Sequence, residues 1–223
     1  STSTTKIENL VLGEEVSLIG DRAFQGNLIT ELIIPEGIKK VGIASFYKNQ
    51  INKLILPTSL KEIGQAAFYG NQISSLTIPN SVTSIGVFAF ENNQISGELV
   101  IPNSVTTIGE MAFSSNQISS LTFSENSSLT TIGGGAFGSN QISSLTIPKS
   151  VTSIGDSAFS TNLIRGELIP SSVTSIGKMA FYDSYSRIET ILIKRTKEDF
   201  LANVTVGDSW YNTFKLTAIT YEP

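Results

Sequence analysis

The sequence predicts a repeat solenoid, and three observations carry that prediction. The stretch Asn71 to Pro79, reading NQISSLTIP, returns at Asn140 to Pro148. An Ile-Gly dipeptide, Val-Gly once, closes at Gly20, Gly42, Gly64, Gly86, Gly109, Gly133, Gly155 and Gly177, at intervals of 22–24 residues. A phenylalanine follows each glycine at a fixed distance: Phe24, Phe46, Phe68, Phe90, Phe113, Phe137, Phe159 and Phe181. A unit this short cannot enclose its own apolar side, so about eight coils must stack over one continuous core.

One clean unit, Ile73 to Asn93, gives each fixed position a physical reason. Leu76 and Ile78 alternate with Thr77 as a short strand requires, both inward while Thr77 faces out. Stacked copies predict a parallel sheet along one wall. Pro79 has no amide hydrogen and fixes its own φ, which suits the end of a strand where the chain leaves the ladder. Val82 and Ile85 return apolar groups to the interior on the opposite side, and Gly86 is expected to supply the positive φ of a tight reversal. Ala89 and Phe90 predict a single helical or 3₁₀ turn, with alanine letting coils approach and phenylalanine filling the widest part of the interior. The eight phenylalanines should form a spine.

Asn93 and its equivalents Asn27, Asn49, Asn71, Asn116, Asn140 and Asn162 precede each new strand. An asparagine there can bond backbone groups that lack a ladder partner, and successive asparagines can bond one another. The fixed relation to core positions favours this structural role over a polar binding strip.

Composition removes several function classes. The 223 residues include no His and no Cys, which excludes imidazole bases, thiol nucleophiles, disulfides and the usual zinc sets. The net charge is −4, and no basic residue lies between Lys61 and Lys149, so the middle coils offer no footprint for nucleic acid. No apolar run reaches the roughly 18–20 residues that span a bilayer, and the Ser- and Thr-rich start lacks the features of a secretory signal. No cofactor, metal or catalytic constellation stands out. Glu198 and Asp199, near Lys194 and Lys197, suit helix-end electrostatics better than catalysis.

The pattern from Ile78 to Phe90, IPNSVTSIGVFAF, with its variant at Ile147 to Phe159, resembles the BspA-type, or Treponema pallidum-type, leucine-rich repeat. The closing segment is similar too: Lys194 to Phe200, Val204 to Gly207 and Leu216 to Tyr221. Many relatives carry Cys where this chain has Asn. The resemblance implies a right-handed leucine-rich repeat solenoid, commonly secreted or at a bacterial surface, with adhesion to host matrix proteins or other cells among its uses. It implies no catalytic residues.

The expected division is a solenoid over 1–194 and a C-terminal α/β cap over 195–223. Thr196 and Asp199 read as a helix N-cap and its third-position carboxylate, with Phe200 and Leu201 burying one face of a short helix. Trp210, Tyr211 and Phe214 then read as a cover for the open core. At the other end Ile7, Leu10, Leu12, Val16 and Ile19 already form a coil with no comparable cap, which points to a preceding domain or a shielding partner.

Function should reside where coils differ. The outward position between the two strand residues reads Val11, Ile33, Ile55, Thr77, Val100, Thr122, Thr146 and Leu192, a ladder β-branched up to Leu192 and apolar at its N-terminal end. It reads either as a protein-binding strip or as plain strand propensity on a sheet surface. Two irregular motifs, Ile95 to Leu99 and Ile164 to Leu168, bring Glu98 and Glu167 beside this face as candidate loop contacts. Glu167 occupies an inward slot, so a bulge should turn it out and move Leu168 in. A third departure replaces the corner proline with Ser124 and adds two residues around Glu125 to Leu129, enlarging that loop. The expected function is non-catalytic: a secreted or surface-exposed module that binds a protein or glycan, host extracellular matrix included. The alternative is a stalk that holds other domains apart.

Overall fold

The computed structural model describes residues 5–164, 166–182, 190–208 and 218–221. It is a parallel β-solenoid with little helix. Seven phenylalanines from Phe46 to Phe181 are fully buried. Together with Phe24 their rings stack at centroid separations of 5.3–5.6 Å and interplanar angles of 2–11°. This is the predicted spine. Ala67, Ala89, Ala112, Ala136, Ala158 and Ala180 are buried beside it, where a larger side chain would hold the coils apart.

The continuous sheet is not on the wall that the Leu-x-Ile pattern marks. Eight two-residue strands on the opposite wall, from Lys40–Val41 through Glu62–Ile63, Ser84–Ile85, Thr107–Ile108, Thr131–Ile132, Ser153–Ile154 and Ser175–Ile176 to Thr205–Val206, form one parallel sheet. The Leu-x-Ile wall is divided into three groups. Glu31–Ile33 pairs with Lys53–Ile55, Ser96–Ile101 with Gln117–Phe123, and Gly166–Ile169, Thr190–Ile193 and Ala218–Tyr221 with one another. Residues 76–78 and 145–147 lie between these groups and pair with neither side. Their side chains still enter the core, Ile78 and Ile147 being buried, so apolar packing holds the wall where the ladder is open.

The repeated glycine has a different cause from the expected one. Gly86 does not have a positive φ. Instead, a Cβ built there would lie 2.6 Å from the Gln65 amide nitrogen in the preceding coil. The glycine is required by contact between coils and not by a reversal. Positive φ falls two residues later, at Ala44, Ala66, Phe88, Met111, Ser157 and Met179, with glycine there only as Gly135 in the central coils. That left-handed residue breaks the expected helical turn: Ala89 N–H bonds Gly86 O at 3.2 Å and Glu91 N–H bonds Phe88 O at 3.2 Å, two successive turns and no helix. The proline corner is as predicted at Pro57, Pro79, Pro102, Pro148 and Pro170, each opening a turn in which its carbonyl accepts from the residue three on, as in Val82 N to Pro79 O at 3.0 Å.

The asparagines satisfy backbone, as expected, but each bonds main chain and not another asparagine. Asn93 Oδ1 accepts from the Ile73 amide at 3.1 Å, and its Nδ2 donates to Phe68 O at 2.9 Å and Phe90 O at 3.1 Å. Asn71, Asn116, Asn140 and Asn162 repeat the arrangement. One side chain thus ties two coils through three main-chain groups.

The helix Lys197–Asn203 starts at Thr196, whose hydroxyl accepts from the Asp199 amide at 3.2 Å, as the sequence predicts. Phe200 is buried, but Leu201 is 68% exposed, since a helix of two turns turns only a narrow stripe inward. Asp199 pairs with Arg195 at 2.9 Å. Trp210, Tyr211 and Phe214 lie outside the described residues.

Candidate binding face

On the Leu-x-Ile wall, alternation puts every second side chain outside. Val11 is 92% exposed, Ile33 58%, Ile55 47% and Val100 45%. Thr77 and Thr146 are exposed, whereas Thr122 and Leu192 are half-buried. Strand register brings some of these into direct neighbourhood: Ile33 opposite Ile55 and Val100 opposite Thr122. It does not join them into one ladder, because pairing lapses at Thr77 and again at Thr146.

Beside the one-residue insertion before Leu99, the pairing shifts register between Gly97 and Glu98, passing over Ser119 of the neighbouring strand. Glu98 is exposed there and accepts from Thr122 Oγ1 at 3.0 Å, which joins one candidate loop contact to the candidate face. The second motif behaves differently. Gly166–Ile169 pairs with Thr190–Ile193 in unbroken register, Glu167 opposite Ile191, so the bulge expected at Glu167 is absent. The two motifs share letters but not length: only the first holds an extra residue.

At the N-terminal end the wall is concave. A groove of about 900 Å³ is lined by Leu10, Val11, Leu12, Ile33 and Pro35, with the carboxylates Glu8, Glu14, Glu31 and Glu36 around it. Glu31 pairs with Lys53 at 3.3 Å. Glu36 accepts from the Thr58 amide at 2.9 Å, the Thr58 hydroxyl at 3.1 Å and the Ser59 amide at 3.3 Å. These bonds, the Thr58 amide first, hold its carboxyl below the ordinary value of 4.5. The sequence reading did not assemble this acidic rim. Its visible signal was the 22-residue step from Glu14 to Glu36, one coil, which stacks two carboxylates on one edge.

A second cleft, about 450 Å³, lies where the ladder lapses between Gln117–Phe123 and residues 144–148. Among the described residues no three carboxylates come together in a way that would hold a metal ion, and no helix is long and apolar enough to cross a membrane.

Comparison with solved structures agrees with this architecture. A leucine-rich repeat protein from Bacteroides ovatus is 25% identical with a TM-score of 0.66, over 92% of this chain and 59% of that one. The pneumococcal vaccine antigen PcpA is 19% identical with a TM-score of 0.54, over 92% of this chain and 60% of its own. The chain therefore spans about three fifths of each of these structures. Among curated proteins none matches it in sequence. The profile of the BspA-type leucine-rich repeat region matches residues 2–97 and 96–204 in six copies. With the phenylalanine spine, the stacked glycines and that match over most of its length, the chain belongs to the BspA-type leucine-rich repeat family.

Proposed function

We propose that this chain is a non-catalytic binding module, secreted or displayed at a cell surface, that engages a protein ligand through its Leu-x-Ile wall, with host matrix proteins as the first class to examine. Family membership supports a protein-interaction module, and repeat solenoids of this kind are generally scaffolds without catalysis. The observation that carries the reading is the exposed apolar strip formed by Val11, Ile33 and Ile55, since stacked β-branched side chains left in solvent on adjacent coils mark an interaction surface. Glu98 is the candidate rim contact.

The test is binding of the purified chain to an array of extracellular-matrix proteins, beside an Ile33→Glu, Ile55→Glu double variant with unchanged circular dichroism. Saturable binding that the variant loses is the expected result. Binding retained by the variant moves the site off this strip. Binding by neither protein favours a spacer, a reading that the near-identical Ser- and Thr-faced coils at Asn71 and Asn140 support.

A further inference from the structure

The cleft between Gln117–Phe123 and residues 144–148 is a place where this solenoid departs from its own repeat. Three departures coincide there. Ser124 replaces the corner proline, and the enlarged loop behind it carries Asn126 to the cleft edge. Phe123 occupies the slot held by Ile78, Ile101 and Ile147 in neighbouring coils, and it is half-buried where those isoleucines are buried. The amides of residues 144–147 make no hydrogen bond among the described residues, although Ser143 still bonds Ser119 O at 3.3 Å. Leu145 and Ile147 remain buried, so the coils part at their outer edge and not through the core.

We propose that this cleft is a carbohydrate site that accommodates one or two sugar units. The walls offer the half-buried aromatic ring of Phe123 beside hydroxyl and amide groups from Thr122, Ser124, Asn126 and Thr146, with Lys149 also lining the cleft. Sugar C–H faces pack on an aromatic ring, while sugar hydroxyls both donate and accept and so match serine, threonine, asparagine and open main-chain amides together. An added peptide strand suits the cleft less well, because it would need the flanking strands a full extra ladder spacing apart, about 4.8 Å. The buried Leu145 and Ile147 rule out that separation. The volume, about 450 Å³, falls within the roughly 300–1,000 Å³ of small-molecule sites. This site is separate from the strip at Ile33 and Ile55, and either can fail without the other.

The experiment is amide-resolved NMR of the whole chain with methyl glucoside, methyl galactoside, N-acetylglucosamine, a uronic acid and cellobiose as probes, beside an extended Ser/Thr peptide. At least one sugar should shift amides of residues 121–127 and 144–150 with millimolar affinity, a level ordinary for so small a ligand. Phe123→Ile restores the repeat's own residue and keeps the core filled, so it should fold normally and weaken that affinity at least about tenfold. Asn126→Ala, on the loop surface, should weaken it as well. No shift with any sugar, shifts outside these segments, shifts with the peptide alone, or full affinity in folded Phe123→Ile would each overturn the proposal.

Discussion

Gly109 stands so close to Gly86 that a Cβ on Gly109 would lie 2.7 Å from the Gly86 carbonyl carbon. No side chain can yield there, because the obstacle is main chain of the preceding coil. Gly109→Ala should therefore lower stability by about 1–3 kcal/mol or more through forced separation of two coils. Gly20 has nothing within 4 Å of the same position, so Gly20→Ala should change stability by less than about 0.5 kcal/mol. Urea unfolding of the two variants checks the contrast, and equal losses would refute it.

Ser45 occupies the slot that holds alanine in the other coils, is fully buried, and its Oγ has no hydrogen-bond partner among the described residues. Removing an unsatisfied buried hydroxyl should help. Ser45→Ala is expected to raise the midpoint of denaturant unfolding, by about 1 kcal/mol in free energy. A loss of stability would mean that the hydroxyl is bonded in solution.

Phe90 is sandwiched between Phe68 at 5.3 Å and Phe113 at 5.4 Å. Phe90→Ala should cost about 3–5 kcal/mol by opening a cavity in the spine. Thr77→Ala, on the exposed face, should stay within about 0.5 kcal/mol of the parent. Thermal melts of both, read at the same scan rate, decide the pair.

Two glutamates should titrate in opposite directions. Hydrogen bonds from Thr58 and Ser59 lower Glu36, while burial raises Glu91 above the same ordinary 4.5. The Glu36 contribution is present above 4.5 and lost as pH falls through its lowered folded value. Glu91 has the reverse sign: its contribution is present below 4.5 and lost as pH rises through its raised folded value. Carboxyl-carbon NMR titration should give a midpoint below 4.5 for Glu36 and above it for Glu91.

The core was legible in the sequence because each buried side chain recurs at a coil-length interval. Phe68, Asn93 and Pro79 could each be given a role from period and chemistry alone. Main-chain geometry was not legible in the same way. Gly86 carries one letter for two possible causes, a positive φ or a close approach, and only the coil spacing selects the second. The ladder lapse at Thr77 was also hidden, since residues 76–78 carry the same alternation as the paired strand Lys53–Ile55. At the candidate face, exposure of Ile33 and Ile55 followed from alternation. The groove with Glu8, Glu14, Glu31 and Glu36 draws its lining from two successive coils, which no single repeat encodes.

Asn71, Asn93, Asn116, Asn140 and Asn162 each bond their own coil, three residues back, and the preceding coil, 20 to 27 residues away, and reach no further. Among the described residues, then, no asparagine bond counts the coils. A duplicated or deleted unit between Asn71 and Asn140 would find the same phenylalanine, glycine and asparagine partners waiting for it. Length in such a chain is a free variable that selection can adjust in whole steps, while each wall keeps its chemistry.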